Sequence, residues 1–159
     1  MAPTSTTERP IDELLEGQRF AMLATAGSSQ LTARPLTLLE QDGATLRFLV
    51  SRSAPWAADL ATPGAVVASF ADPGSNTYVS LTGTAHLAFG DGLVDRLWNP
   101  AASAFFAGPD DPDVAVLEVD VDSGEWWDGP SSKVAQLVSL VKTKLSGDPP
   151  GDHGDITTT

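Results

Sequence analysis

Between Thr77 and Phe89 apolar and polar residues alternate at period two. Val79, Leu81, Ala85, Leu87 and Phe89 fall on one side, and Tyr78, Ser80, Thr82, Thr84 and His86 on the other. That spacing gathers the apolar side chains on one face of an extended strand and would scatter them around a helix. The chain therefore contains a long half-buried strand, core beneath one face and polar groups on the other. A second such run spans Val114 to Asp122, where Leu117, Val119 and Val121 alternate with Glu118, Asp120 and Asp122. Strands of this kind need partners at their edges and a cover for the apolar face, and turn formers are plentiful, with 14 Gly and 12 Pro in 159 residues.

The remaining pattern supplies those partners. Thr7-Glu8-Arg9-Pro10 leads into a short helix, Ile11 to Glu16, with acids in its first turns and Gly17 at its end. Arg19 to Ala26 is a strand closed by Gly27-Ser28-Ser29, and Leu31 to Gln41 is a second extended stretch, so the two read as a hairpin. Asp42-Gly43 marks another hairpin into Thr45 to Ser51, giving three consecutive antiparallel strands. Ser53-Ala54-Pro55 starts a short helix through about Thr62, with Ser53 available to cap it, and Pro63-Gly64 stops it before the strand Ala65 to Phe70. A helical piece lies at Leu93 to Trp98, followed by an Ala/Phe-rich segment ending in Gly108-Pro109. The last expected element is a helix from about Ser132 to Leu145, with Val134, Leu137, Val138 and Val141 on one stripe and Lys142 and Lys144 near its C-terminal end. The expected organisation is a flexible start over 1–9, one domain over 10–145 and a disordered tail over 146–159. Five or six strands joined mainly by hairpins point to a closed or nearly closed antiparallel barrel, which also protects its edges.

Composition excludes several kinds of chemistry. With no cysteine, disulfides, thiolate nucleophiles, Cys-ligated zinc and iron–sulfur clusters are absent, and two histidines, His86 and His153, are a thin basis for a His-rich metal site or a Ser/His/Asp relay. A formal charge of −12 repels phosphate polyanions at long range, so nucleic acid is not an expected partner. No stretch approaches the roughly 20 apolar residues of a membrane span, and the N-terminus lacks the plan of a signal peptide. A cytoplasmic protein with no membrane partner is the expectation.

A few residues stand out as candidates for chemistry. Ser51-Arg52-Ser53 joins a strand end to a helix start and offers two hydroxyls, a guanidinium and free amides, which suits a phosphate as well as it suits an ordinary cap beside a solvated Arg. Arg34-Pro35 interrupts a strand, which is consistent either with a sheet edge or with a break facing a ligand. Trp126 and Trp127, adjacent in extended chain, point to opposite sides, one into the core and the other toward a partner or planar ligand. Trp56 and Trp98 read as core or interface residues, His86 as a solvated or hydrogen-bonded side chain, and Asp110-Asp111-Pro112-Asp113 as an acidic turn without the spacing of a calcium loop.

Taken together, Ala33-Arg34-Pro35-Leu36-Thr37, Leu46 to Arg52, Val67 to Pro73 and Tyr78 to Gly83 follow one another in an order and spacing that resembles the general stress protein branch of the pyridoxamine-phosphate-oxidase-like family. Leu97-Trp98-Asn99-Pro100-Ala101-Ala102, Phe105-Phe106, Gly108 to Asp113 and Glu125 to Pro130 look like the same branch. The resemblance covers about Ile11 to Leu145.

It implies a mainly β fold: a six-stranded antiparallel split β-barrel with flanking helices, assembled as a homodimer with one FMN in each of two clefts at the subunit interface. By similarity Arg34, Pro35, Leu36 and Thr37 would line the flavin from one strand and Leu49, Val50 and Ser51 from the next. Ser51, Arg52 and Ser53 would face its phosphate, and Tyr78 and Trp127 would add contacts. Relatives often place a phosphate-neutralising lysine where this chain has Trp56, so Arg34 and Arg52 would carry the positive charge. The implied activity is that of a flavin-dependent oxidoreductase acting on a small molecule. FAD, deazaflavin or, less well matched, haem are alternative ligands, and a non-catalytic dimeric binding module is the alternative role.

Overall fold

The computed structural model describes residues 8–27, 30–90, 92–129 and 152–158. Two long strands form its spine: β7 (Thr77–Ala88) and β8 (Val114–Asp128), paired antiparallel from Thr77 opposite Asp128 to Ala88 opposite Val116. β8 runs six residues beyond Asp122, where the alternation in sequence stops, and a bulge explains why. Thr82 faces Ser123 while Gly83 faces Val121, so Asp122 is an extra residue and the inward phase changes from odd to even positions. Leu117, Val119 and Val121 point inward before the bulge and Trp126 after it.

The other strands are β1 (Arg9–Pro10), β2 (Phe20–Ala26), β3 (Leu31–Thr37), β4 (Glu40–Asp42), β5 (Thr45–Ser51), β6 (Gly64–Asp72) and β9 (Asp152–Thr157). Their ladders give the order β3-β2-β6-β7-β8-β5-β4. The far end of β8 pairs instead with β9, which lies parallel to β1. Every pairing but β1–β9 is antiparallel, and six long strands carry the sheet, as the split-barrel expectation requires. The sheet curls without closing: among the described residues no ladder joins β3 to β5. Inside it, Leu23, Leu46, Phe48, Leu81, Leu117 and Val119 are fully buried, and helix α1 (Ile11–Leu15) adds Ile11, Leu14 and Leu15.

The expected run of three consecutive antiparallel strands is corrected. Both hairpins form, and Gly43 takes the positive φ of 57° that its turn needs. The stretch 31–41, however, breaks at Leu38-Leu39. The Leu38 amide donates to the Arg19 carbonyl at 2.8 Å, on the β2 side, and the Leu39 amide to the Arg47 carbonyl at 3.0 Å, on the β5 side. The chain crosses there from one half of the sheet to the other, and β5 pairs with β8 rather than β3.

The ends also differ from expectation. Arg9, read as part of a flexible start, pairs in β1, bonds Glu13 and lies 4.9 Å from the Trp126 ring centroid. Within the tail read as disordered, 152–157 forms β9. Its one apolar side chain, Ile156, is buried against Gly124, where an added Cβ would fall 2.8 Å from Ile156 Cδ1, Leu81 Cδ2 and the Ser80 carbonyl. The expected helix over Ser132 to Leu145 lies outside the described residues. Helix α2 (Pro55–Ala58) continues into a tight turn, Asp59–Ala61, and α3 (Leu93–Leu97) is followed by another, Pro100–Ala104. Ala54 rather than Ser53 occupies the cap of α2, and no side chain bonds there. No helix among the described residues is long and apolar enough to cross a membrane.

Candidate functional site

Where β3 and β5 part, they border a cleft of about 450 Å³. Pro35, Leu36 and Thr37 line it from the end of β3, and Leu49, Val50 and Ser51 from the end of β5. Ala54 and Trp56 contribute from the start of α2, and Asn99, Ala102, Phe105 and Phe106 from the segment after α3. Asn99 holds that segment in shape: its side-chain oxygen accepts from the amides of Ala101 at 2.9 Å and Ala102 at 3.2 Å. Trp98 and Phe106 meet as tilted rings 6.5 Å apart. Such walls, apolar with one indole, suit a planar aromatic ligand, and the volume lies within the usual range for small-molecule sites.

One end of the cleft is polar. The Ser51 hydroxyl donates to Asp113 Oδ2 and lies 3.1 Å from the Ser53 hydroxyl, while the Ser53 amide donates to Asp113 Oδ1 at 3.0 Å. Hydrogen bonds from Ser51 and then Ser53, helped by the charge of Arg52, hold the Asp113 carboxyl below the usual carboxylate range. The carboxylate is fixed by its own backbone as well. The Asp113 amide donates to Asp111 Oδ1 at 2.9 Å, and the Asp113 carbonyl accepts from the Arg52 amide at 2.8 Å. Asp111 also accepts from the Ala107 amide at 3.1 Å, so the acidic turn is braced from within. Among the described residues no group of three or more His, Asp or Glu side chains is placed to hold a metal.

Neither arginine singled out in the sequence contributes to the cleft lining. Arg34 donates to the Thr25 hydroxyl at 2.9 Å, to the Thr32 hydroxyl and to the Leu23 carbonyl at 3.3 Å, and its guanidinium stacks 4.3 Å from the Trp56 ring centroid. Burial lowers its pKa. Arg52 lies over the Phe89 ring at 5.1 Å. Pro35 sits in β3, which among the described residues pairs only with β2, and it also borders the cleft.

Tyr78 and Trp127 lie elsewhere, facing each other across β7 and β8. With Phe20, Met22 and Pro35 they line a shallow apolar hollow of about 400 Å³. Phe20 is 67% exposed, Met22 47%, Tyr78 42% and Trp127 41%, whereas Trp126 on the opposite face is 3% exposed, as adjacent extended residues require. His86 stands half-exposed on β7, 4.0 Å from the Asp120 carboxylate and outside both hollows. The residues that the family resemblance grouped, Pro35, Leu36, Thr37, Leu49, Val50 and Ser51, with Trp56 at the family's lysine position, thus meet in the cleft. Sequence reasoning assigned no role to Asn99, Phe105, Phe106 or Asp113; the nearest signal was the run of unusual residues from Trp98 to Asp113 itself.

The family model described as pyridoxamine 5'-phosphate oxidase like matches residues 6–151. The chain belongs to the pyridoxamine 5'-phosphate oxidase-like family. No curated protein matches the sequence. Among solved structures, a candidate general stress protein 26 from Jannaschia sp. CCS1 is 26% identical with a TM-score of 0.70, covering 91% of this chain and 94% of its own. The general stress FMN/FAD binding protein of Xanthomonas citri is 31% identical with a TM-score of 0.67, covering 75% and 86%. A protein of Clostridium acetobutylicum related to general stress protein 26 shares the fold at 21% identity, with a TM-score of 0.65, covering 74% of this chain and 84% of its own. The general stress branch named by these relatives is the one the sequence resembles.

Proposed function

We propose that this family member is a cytoplasmic flavin-binding protein of the general stress branch, a homodimer that lodges a flavin ring in the cleft between β3 and β5 and uses it in oxidoreductase chemistry on a small molecule. The observation that carries the reading is the apolar, indole-bearing cleft at the split of the sheet, supported by the Xanthomonas relative that binds FMN or FAD. A flavin, when bound, supplies hydride or electron transfer. The chain's own residues position and shield it: Leu36, Leu49 and Phe106 exclude water from a ring, and the hydroxyls of Thr37 and Ser51 are available to orient its polar edge. The cleft residues fit a flavin ring better than they fit a phosphate, because their polar end already holds the Asp113 carboxylate.

The exposed apolar group Phe20, Met22, Tyr78 and Trp127 supports the dimer, since a contiguous patch of this kind marks a surface that a partner covers. FMN is the flavin named by resemblance, with FAD and deazaflavin as alternatives. Titrating the purified chain with each flavin while following absorption and fluorescence tests the reading. Saturable binding below about 10 μM, roughly −7 kcal/mol, is expected, and no binding of any flavin at that level would sink it.

A further inference from the structure

From the polar end of the cleft we infer that Asp113 acts as an internal anion, occupying the donors that a ligand's phosphate would use and turning the site toward flavins that lack one. This rests on the flavin reading for its ligand but on the cleft alone for its electrostatics. The Ser51 hydroxyl and the Ser53 amide both donate to the Asp113 carboxylate, one to each oxygen, which is how such a cluster would grip a phosphate. Backbone bonds on both sides of Asp113 hold the carboxylate there.

Neither nearby cation enters the cleft lining, although the charge of Arg52 is felt at Asp113. Arg34 is bonded to Thr25 and Thr32 and stacked on Trp56, and Arg52 lies over Phe89. Asp113 is the one charged side chain lining the cleft among the described residues. A dianion brought to this end meets a fixed like charge and finds its donors in use, so it has to displace Asp113 or leave the hydroxyls unengaged. A ligand ending in hydroxyls meets neither obstacle, because it donates to the carboxylate. Asp113 is thus a specificity-determining residue, selecting a polyol end such as that of riboflavin over the phosphate of FMN.

The test titrates the full chain and Asp113→Asn with riboflavin, FMN and inorganic phosphate, with circular dichroism and melting to verify the fold. Wild type is expected to bind riboflavin at least as tightly as FMN. The neutral variant should gain about tenfold or more for FMN, about 1.4 kcal/mol, while riboflavin, whose hydroxyls can still donate to the Asn side-chain oxygen, changes by less than about threefold. Adding Ser51→Ala to D113N should remove most of that gain, which a merely structural effect would not do. If D113N does not fold, Asp113→Ser is measured in its place. A folded variant with no gain for FMN or phosphate overturns the inference, as does wild type preferring FMN about tenfold over riboflavin. If no flavin binds any variant, the proposed function falls while phosphate still decides the inference: a phosphorus-NMR titration showing tighter phosphate binding to D113N supports it, and an unchanged titration overturns it.

Discussion

Arg34 shows how a residue chosen for ligand binding can be consumed by the fold. Thr25 is buried, and Arg34 donates to its hydroxyl while stacking on Trp56. Where the family resemblance leads one to expect a lysine reaching a phosphate, the indole of Trp56 instead holds a guanidinium in place. Arg34→Ala therefore leaves a buried hydroxyl without its donor and removes the ring contact. We expect a loss of about 1 to 3 kcal/mol in stability, read as a lower denaturation midpoint at unchanged slope. Arg34→Lys should recover little of it, because an ammonium cannot reproduce the planar fork that reaches two hydroxyls while lying flat on the indole. A variant as stable as wild type would show that these bonds contribute nothing net.

At the scale of elements, the bulge at Asp122 decides how the C-terminal part of the chain is used. It turns Trp126 inward and lengthens β8, which creates the edge on which β9 pairs. That edge works only because Gly124 has no side chain, leaving room for Ile156 to reach Leu81. Gly124→Ala is expected to cost about 1 to 3 kcal/mol through overpacking, and hydrogen exchange should locate the damage by accelerating in 152–157 before the strands of the central sheet. Equal exchange across both regions would mean that β9 is not the element strained. Periodicity could not announce this strand. In Asp152-His153-Gly154-Asp155-Ile156-Thr157 a single apolar residue stands among polar ones, and its partner is reached only after the phase change in β8.

For the whole molecule, the split between β3 and β5 is what turns a sheet into a site. The same curl leaves the outer face of β2 apolar, with Phe20 and Met22 beside Tyr78 and Trp127, and we assign that face to a second copy of the chain. Sedimentation of the wild type should give the mass of two chains rather than the 16.6 kDa of one. Met22→Glu, which places a charge at the centre of that face, should shift it to one with the secondary structure retained. A wild type that sediments as a single chain at tens of micromolar would overturn the assignment. The family resemblance grouped the residues at the ends of β3 and β5, while the sequence alone determined the long strands, the two hairpins and the half-buried faces of β7 and β8. Those follow from local periodicity and turn chemistry, which act over a few residues. Tertiary structure decided the crossing at Leu38-Leu39, the pairing of β5 with β8, the capture of Arg34 by Thr25 and Trp56, and the placement of Asp113 against Ser51 and Ser53. Each depends on groups far apart in the chain, sixty-two positions in the case of Ser51 and Asp113, and such distances are set only when the sheet curls and brings its ends together.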